Sequence, residues 1–312
     1  MMNLKMAICM TAGAMLLAAP AVSQSTGQGR AVVTVLSKQH GDLTASISQQ
    51  DVSIKVNGKE STVTRWTPLK GPNDSLELVI FIDSAARESI GSQFGDIEHF
   101  VNGLPPNVKA AIAYMRNGQA IFAGPLTADH AQVLRALHLP GGSPGSSASP
   151  YFCLSDLAKH WPSGDRGARR EVVMVTDGVD NYQPELNLDD PYLQAAITDS
   201  VRAGLVVYSI YWLNQGRASG TMYMENVGQS MLTEVTEATG GKNLWIGIGN
   251  PVSLQPYFEE LARRLGNQYE LGFTANLDRK SGEETLKLKV GGAALDVTAP
   301  RQVFVDRAGV AE

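Results

Sequence analysis

Two apolar runs in this sequence end in aspartate. LVIFID places Asp83 after five apolar residues and follows it with Ser84, while VVMVTDG places Asp177, and shortly after it Asp180, behind a second run. Between them, GGSPGSSASP supplies Ser146, Ser147 and Ser149. Carboxylate and hydroxyl oxygens are the ligands of hard divalent cations, and Mg²⁺ keeps several waters while taking one or two carboxylates. Asp83, Ser84, Ser149 and Asp177 are therefore the candidate metal set, with Mg²⁺ or Mn²⁺ as the ion. Ala85 and Arg87 oppose it, because a methyl ligates nothing and a guanidinium stays charged at any physiological pH. Turned inward, Arg87 pairs with Asp83 and Asp177 and repels a cation; turned outward, it leaves a weak site. The expectation is a chain with no cofactor, weak Mg²⁺ or Mn²⁺ binding being the alternative. Each aspartate also has a plainer role: Asp83 as the acceptor at a helix start, Asp177 and Asp180 as turn residues.

Other chemistry is thin. The five histidines show no zinc spacing, no G-x-S-x-G elbow occurs, and the glycine-serine loop lacks the lysine of a phosphate loop. A nucleophile, a base and an orienting group do not appear together, so no enzyme is expected.

The elements that must hold these residues read as strand, helix, strand from Leu76 onward. LELVIFI, EVVMVT and LVVYSIYW are near-continuous apolar runs, as for strands covered on both faces, with VKAAIAYM and QAIFAG joined at Asn117-Gly118. Helices are expected over Glu88 to Gly103, near Ala128 to His138, from Pro150, between Asp190 and Gly204, over SMLTEVTEATGG, and over VSLQPYFEELARRLG; KNLWIGI is expected as a strand. The alternation predicts an α/β fold with a doubly wound, mostly parallel sheet. Ahead of it AVVTVLS, VSIKV and STVTRW are strand-like, with a hairpin at Asn57-Gly58, and NQYELGFTA, ETLKLKV, ALDVTA and QVFV follow. The expected division is an N-terminal β segment at 30–72, the α/β domain at 74–266 and a C-terminal β segment at 267–307, the two β segments forming one small module or capping the domain separately.

Taken in order, LVIFID, VVMVTDG, LTEVTEATGGKNLW and GIGNPVSLQPYFEELARRLGNQYELGF resemble the von Willebrand factor A (VWA) family, and more closely the VWA-related proteins of Acidobacteria, over almost the whole chain after residue 23. The resemblance implies a VWA-like, Rossmann-related sheet and a metal-ion-dependent adhesion site of the pattern Asp-x-Ser-x-Ser, a threonine and an aspartate before glycine. Asp83 and Asp177 match its aspartates and Ser149 stands in for the threonine. Both serine positions fall on Ala85 and Arg87, and Ser84 is one residue out of phase, so the site is degenerate. Such domains bind proteins, which makes Arg87, Asp180, Trp212 and Tyr223 the candidate partner-binding residues. YWLNQGRASGTMYMENVGQSML, which carries Trp212, Met222, Tyr223 and Met224, is either a binding loop or a loop folded back over the sheet.

With 26 Lys plus Arg against 31 Asp plus Glu, and Arg166, Arg169 and Arg170 as its basic cluster, the chain lacks a nucleic-acid footprint. Residues 1–23 have the anatomy of a secretory signal: Lys5, an apolar run from Met6 to Leu17 and small residues near Ala19 to Ala21. The expectation is a secreted or periplasmic binding protein with a protein ligand and no membrane insertion after cleavage. Cleavage leaves Cys153 as the lone cysteine, expected as a buried small hydrophobe.

Overall fold

Val52–Val56 (β2) alternates buried and exposed side chains and turns at once into Lys59–Pro68 (β3). The turn works because Asn57 and Gly58 both hold positive φ, 48° and 75°, the conformation a two-residue hairpin demands. These strands belong to a computed structural model describing residues 25–38, 46–71, 74–141, 147–214, 221–277, 281–292 and 294–307. The signal-like residues 1–23 and Ser146 lie outside the described residues.

Both parts of the chain that flank the α/β region build one antiparallel sheet. Ser25–Ser37 (β1) pairs along Gln268–Leu277 (β9), from Ser25 opposite Leu277 to Thr34 opposite Gln268. Gly282–Val290 (β10), Leu295–Thr298 (β11) and Gln302–Arg307 (β12) complete it. The pairings run β1, β12, β10, β2, β3, β9 and back to β1, so the sheet closes into a barrel, with β11 on the last residues of β1. Closure removes free sheet edges. Val33, Val35, Ile54, Leu271, Phe273 and Val305 fill the interior, and Trp66 stacks on Tyr269 at 4.7 Å.

The second sheet has the order β6-β5-β4-β7-β8: Gln119–Phe122, Lys109–Arg116, Leu76–Asp83, Arg169–Thr176 and Leu205–Tyr211. Four strands are parallel and β6 is an antiparallel edge, as the alternation predicts. Every residue of β4 is buried because helices cover both faces. Leu78, Ile80 and Ile82 meet α1 (Phe94–Gly103) and α6 (Gln255–Leu265), whose Phe100 and Phe258 stack at 4.6 Å. Val79 and Phe81 meet α3 (Pro150–Lys159), α4 (Pro191–Ala203) and α5 (Met222–Thr239), with Cys153 buried among them. The short α2 spans His130–Arg135.

Three expectations change. The helix expected from Glu88 starts at Phe94, after a 3-10 segment, Ser84–Gln93, broken at Arg87 (φ 51°, ψ −136°). Helix α5 begins at Met222, eight residues ahead of SMLTEVTEATGG, because Thr221 accepts a hydrogen bond from the Met224 N–H and caps it. KNLWIGI bridges β8 only at Asn243, opposite Ser209. Gln229 of α5 donates to the Gly247 carbonyl at 2.6 Å and Glu225 accepts from the Gly249 N–H at 3.1 Å, which bends the chain away and leaves Ile246 and Ile248 exposed.

Sheet and barrel meet at the amino ends of the parallel strands. Phe304 of β12 packs against the core under α4, with the Arg202 guanidinium 5.5 Å above its ring. Thr198 donates to Glu283 at 2.9 Å and Arg301 pairs with Glu234 at 2.8 Å. Arg169, the first residue of β7, donates to Asp74, Glu171, the Leu265 carbonyl and Gln268.

Candidate functional site

In the α/β sheet β5 and β6 lie on one side of β4, while β7 and β8 lie on the other. The strand order therefore reverses between β4 and β7, and the crevice that such a reversal opens lies beyond the carboxyl ends of those strands. Asp83 is the last residue of β4, Thr176 the last of β7, Asp177 follows it, and Asn214 comes three residues after β8.

These residues form one buried polar cluster. Asp83 Oδ1 accepts from the Ala85 N–H at 2.8 Å, and Oδ2 accepts from the Thr176 hydroxyl at 2.7 Å and the Asn214 amide at 2.8 Å. Asp177 Oδ1 accepts from the Val179 N–H at 3.0 Å. Both residues are buried, Asp83 completely. Burial raises the pKa of Asp83 above the usual carboxylate range against the pull of its donors, and burial together with the charge of Asp83 pushes Asp177 up to about 8. Both carboxyls are raised by burial and each opposes ionisation of the other, so near neutrality the pair holds one proton between them.

Ser149 is occupied elsewhere. It caps α3, accepting from the Tyr151 N–H at 3.3 Å, and donates to Asp180 at 2.6 Å. Asp180 in turn accepts from the Tyr182 N–H at 2.7 Å, and Tyr151 donates its hydroxyl to the Gly178 carbonyl at 2.7 Å. The structure thus brings Asp83 and Asp177 together, gives Ser149 to Asp180, and buries Ser84 at the start of the 3-10 segment.

Two of the expected partner-binding residues lie buried. Asp180 is fully buried in the turn that joins β7 to Tyr182. Trp212 is only 2% exposed, because its N–H extends the β7–β8 pairing to the Thr176 carbonyl (3.0 Å) and its indole N–H donates to Ser89 (3.0 Å). Tyr223 stands exposed at the start of α5 and Arg87 is half-buried. Sequence reasoning missed Thr176 and Asn214, two side chains that donate to Asp83. The one signal for Thr176 was its position as the hydroxyl residue between a buried run and Asp177.

A divalent ion needs oxygens with uncommitted lone pairs. Asp83 accepts from Ala85, Thr176 and Asn214 with the Ser147 hydroxyl as a further donor, Ala85 offers a methyl group, and position 87 carries a cation. Among the described residues, no group of three or more His, Cys, Asp or Glu side chains gathers in a ligating arrangement. The residues present do not fit the cation that the family resemblance implies.

Two non-glycine residues of the site loops hold positive φ, Arg87 at 51° and Ala148 at 65°. At Arg87 a Cβ is the source of the strain, which gives a clean comparison. Arg87→Gly and Arg87→Ala both delete the side-chain contacts, and only alanine keeps the Cβ. The glycine variant should be the more stable of the two by about 1 kcal/mol in urea denaturation. Equal stabilities would mean that the backbone relaxes at no cost.

No family model matches the chain, and no curated protein matches it. Among solved structures it is similar to BatB from Bacteroides thetaiotaomicron (14% identity, 61% of this chain and 97% of that one, TM-score 0.42). It is similar also to an aerotolerance-related membrane protein from Bacteroides fragilis carrying serine substitutions (15%, 61% and 98%, TM-score 0.41). A third likeness is to the ArnB paralog VWA2 from Sulfolobus acidocaldarius (9%, 89% and 76%, TM-score 0.39).

Proposed function

We propose that this chain is an exported, non-enzymatic, VWA-like binding module that takes a protein partner on the loops at the carboxyl edge of its parallel sheet, without a resident metal. One observation carries the reading. Of the eleven large hydrophobic side chains exposed among the described residues, nine sit on connections at that edge or in the first helical turn after them. Tyr182, Leu186 and Leu188 lie between β7 and α4, Tyr192 is in the first turn of α4, Met222 and Tyr223 open α5, and Ile246, Ile248 and Val252 lead into α6. Apolar side chains concentrated on one edge mark an interaction surface, whereas scattered ones need no explanation.

The buried cluster beneath this rim acts as a strut. Asp83 ties the ends of β4, β7 and the connection after β8 to one another through Thr176 and Asn214. Phe152 of α3 supports the rim from below, its ring 5.6 Å from Tyr182 and 4.3 Å from Tyr192. A rim on a braced scaffold loses little freedom on binding, which favours affinity.

The test is capture from an envelope extract by the protein lacking residues 1–23, in millimolar Mg²⁺ and in EDTA, beside a Tyr223→Glu, Ile248→Asp variant. Both side chains are exposed, so the variant should keep its thermal midpoint while partner retention falls about 10- to 100-fold, as for loss of hot-spot side chains worth about 1–3 kcal/mol. Capture that needs Mg²⁺ would favour a divalent-dependent adhesion protein instead. Capture undiminished in the variant would move the partner off this rim.

A further inference from the structure

At the opposite end of β7 lies a buried ion cluster that the candidate site does not use. Arg169 is 4% exposed and Glu171 is fully buried. The Arg169 guanidinium serves two carboxylates, Asp74 at 2.6 Å and Glu171 Oε1 at 3.2 Å, so the cluster holds one cation against two acids. Its NH1 group also reaches across to the barrel side, donating to the Leu265 carbonyl at 3.0 Å, where α6 ends, and to Gln268, where β9 begins. Gln268 donates onward to the Tyr208 hydroxyl at 3.1 Å.

Glu171 Oε2 is buried with no hydrogen-bond partner among the described residues. A charged carboxylate left with an orphan oxygen in a buried site is costly, and a proton on it removes the excess negative charge. The groups facing it are Arg169 on its own strand, Asp74 before β4, Tyr208 on β8 and Gln268 on β9. Arg264 of α6 adds a more distant positive charge near Tyr208, and it is paired with Glu260 at 2.9 Å. Asp74 is the more exposed acid and has the closer guanidinium contact, so Glu171 is the group that takes the proton.

We propose that Glu171 is a proton-operated latch on the junction between the α/β unit and the barrel. Protonated, it leaves Arg169 free to hold Gln268 and Leu265; ionised, it draws the guanidinium toward itself and the join between α6 and β9 loosens. Burial, opposed by Arg169 and by a hydrogen bond from Gln268 and joined by the charge of Asp74, pushes Glu171 up to about 7, against about 4.3 for an unfolded glutamate. An acid raised on folding contributes stability that is complete below its unfolded pKa and is lost as pH rises through its folded one. The latch is therefore closed in mildly acidic solution and opens through neutrality.

Hydrogen exchange of the segment 262–271, corrected for the intrinsic pH dependence and measured in an Asp177→Asn background, reads this junction without reading Asp177. Between about pH 6 and pH 8 the background protein should lose roughly tenfold in protection there, and adding Glu171→Gln should hold a constant value. An added Glu171→Gln that leaves the pH dependence unchanged, or a background protein with none, overturns the latch. Should Glu171→Gln fail to fold, carbon NMR of glutamate carboxyls in the wild-type protein decides. One glutamate titrating near neutrality supports the latch, and titration of every glutamate below about pH 5 overturns it.

Discussion

Asp83→Ala should destabilise the protein by about 3–5 kcal/mol, measured as the loss in urea-unfolding free energy at pH 7. The size follows from what stays behind. The Ala85 N–H, the Thr176 hydroxyl and the Asn214 amide all lose their acceptor, and each buried donor without a partner costs roughly 1–3 kcal/mol before relaxation. Removal of the negative charge offsets part of the sum, since a carboxylate no longer has to be held away from solvent. Asp83→Asn should lie between wild type and alanine. It keeps a carbonyl oxygen for two of the donors and turns an amide toward the third. A loss below about 1 kcal/mol for Asp83→Ala would show that the three donors find other acceptors, and the strut beneath the apolar rim would then be dispensable.

The second large effect is on the pH dependence of stability. Asp177 has a pKa of about 8 in the folded protein, raised by burial and by the charge of Asp83, while an unfolded aspartate titrates near about 3.9. Across that window the native state holds a proton that the unfolded state has released, so the unfolding free energy falls as pH rises. Its contribution is fully present below about pH 4 and is spent above about pH 8. Asp177→Asn should flatten this slope, its advantage over wild type growing by up to about 1.4 kcal/mol per pH unit between about pH 4 and pH 8. Glu171 contributes a slope of the same sign, so the comparison is best repeated in a Glu171→Gln background. Parallel pH profiles for wild type and Asp177→Asn would place the shared proton elsewhere.

What the sequence made legible was local. The Asn57-Gly58 hairpin, the helix ends at Asp190 and Gly204, and the four parallel strands follow from signals contained within a few residues. Asp83 and Asp177 were also legible as neighbours, because each ends a buried run and parallel strands bring such ends to one edge. The donors that complete the cluster were not. Thr176 lies 93 residues and Asn214 131 residues from Asp83 in the chain, and no pattern in either stretch records the contact. Trp212 misled for a related reason. An aromatic just past a strand reads as an exposed loop residue, yet here the strand pairing runs on by one more N–H to the Thr176 carbonyl. The strand expected at KNLWIGI has the right composition and loses to a specific competitor, the side chains of Gln229 and Glu225 on α5.

The closed barrel has a consequence in time. Its ring requires β1 to lie along β9, with Thr34 opposite Gln268, so the whole α/β unit stands in the chain between the two strands of one pairing. During synthesis the early strands emerge long before their partners, and only β2 and β3 find each other at once. The α/β unit, whose strands pair at shorter separations, can condense while β1 waits. The barrel therefore seals last, once β9 to β12 have been made and can reach β1 and β2. Holding β1 unpaired for that interval also makes it the segment most in need of a chaperone.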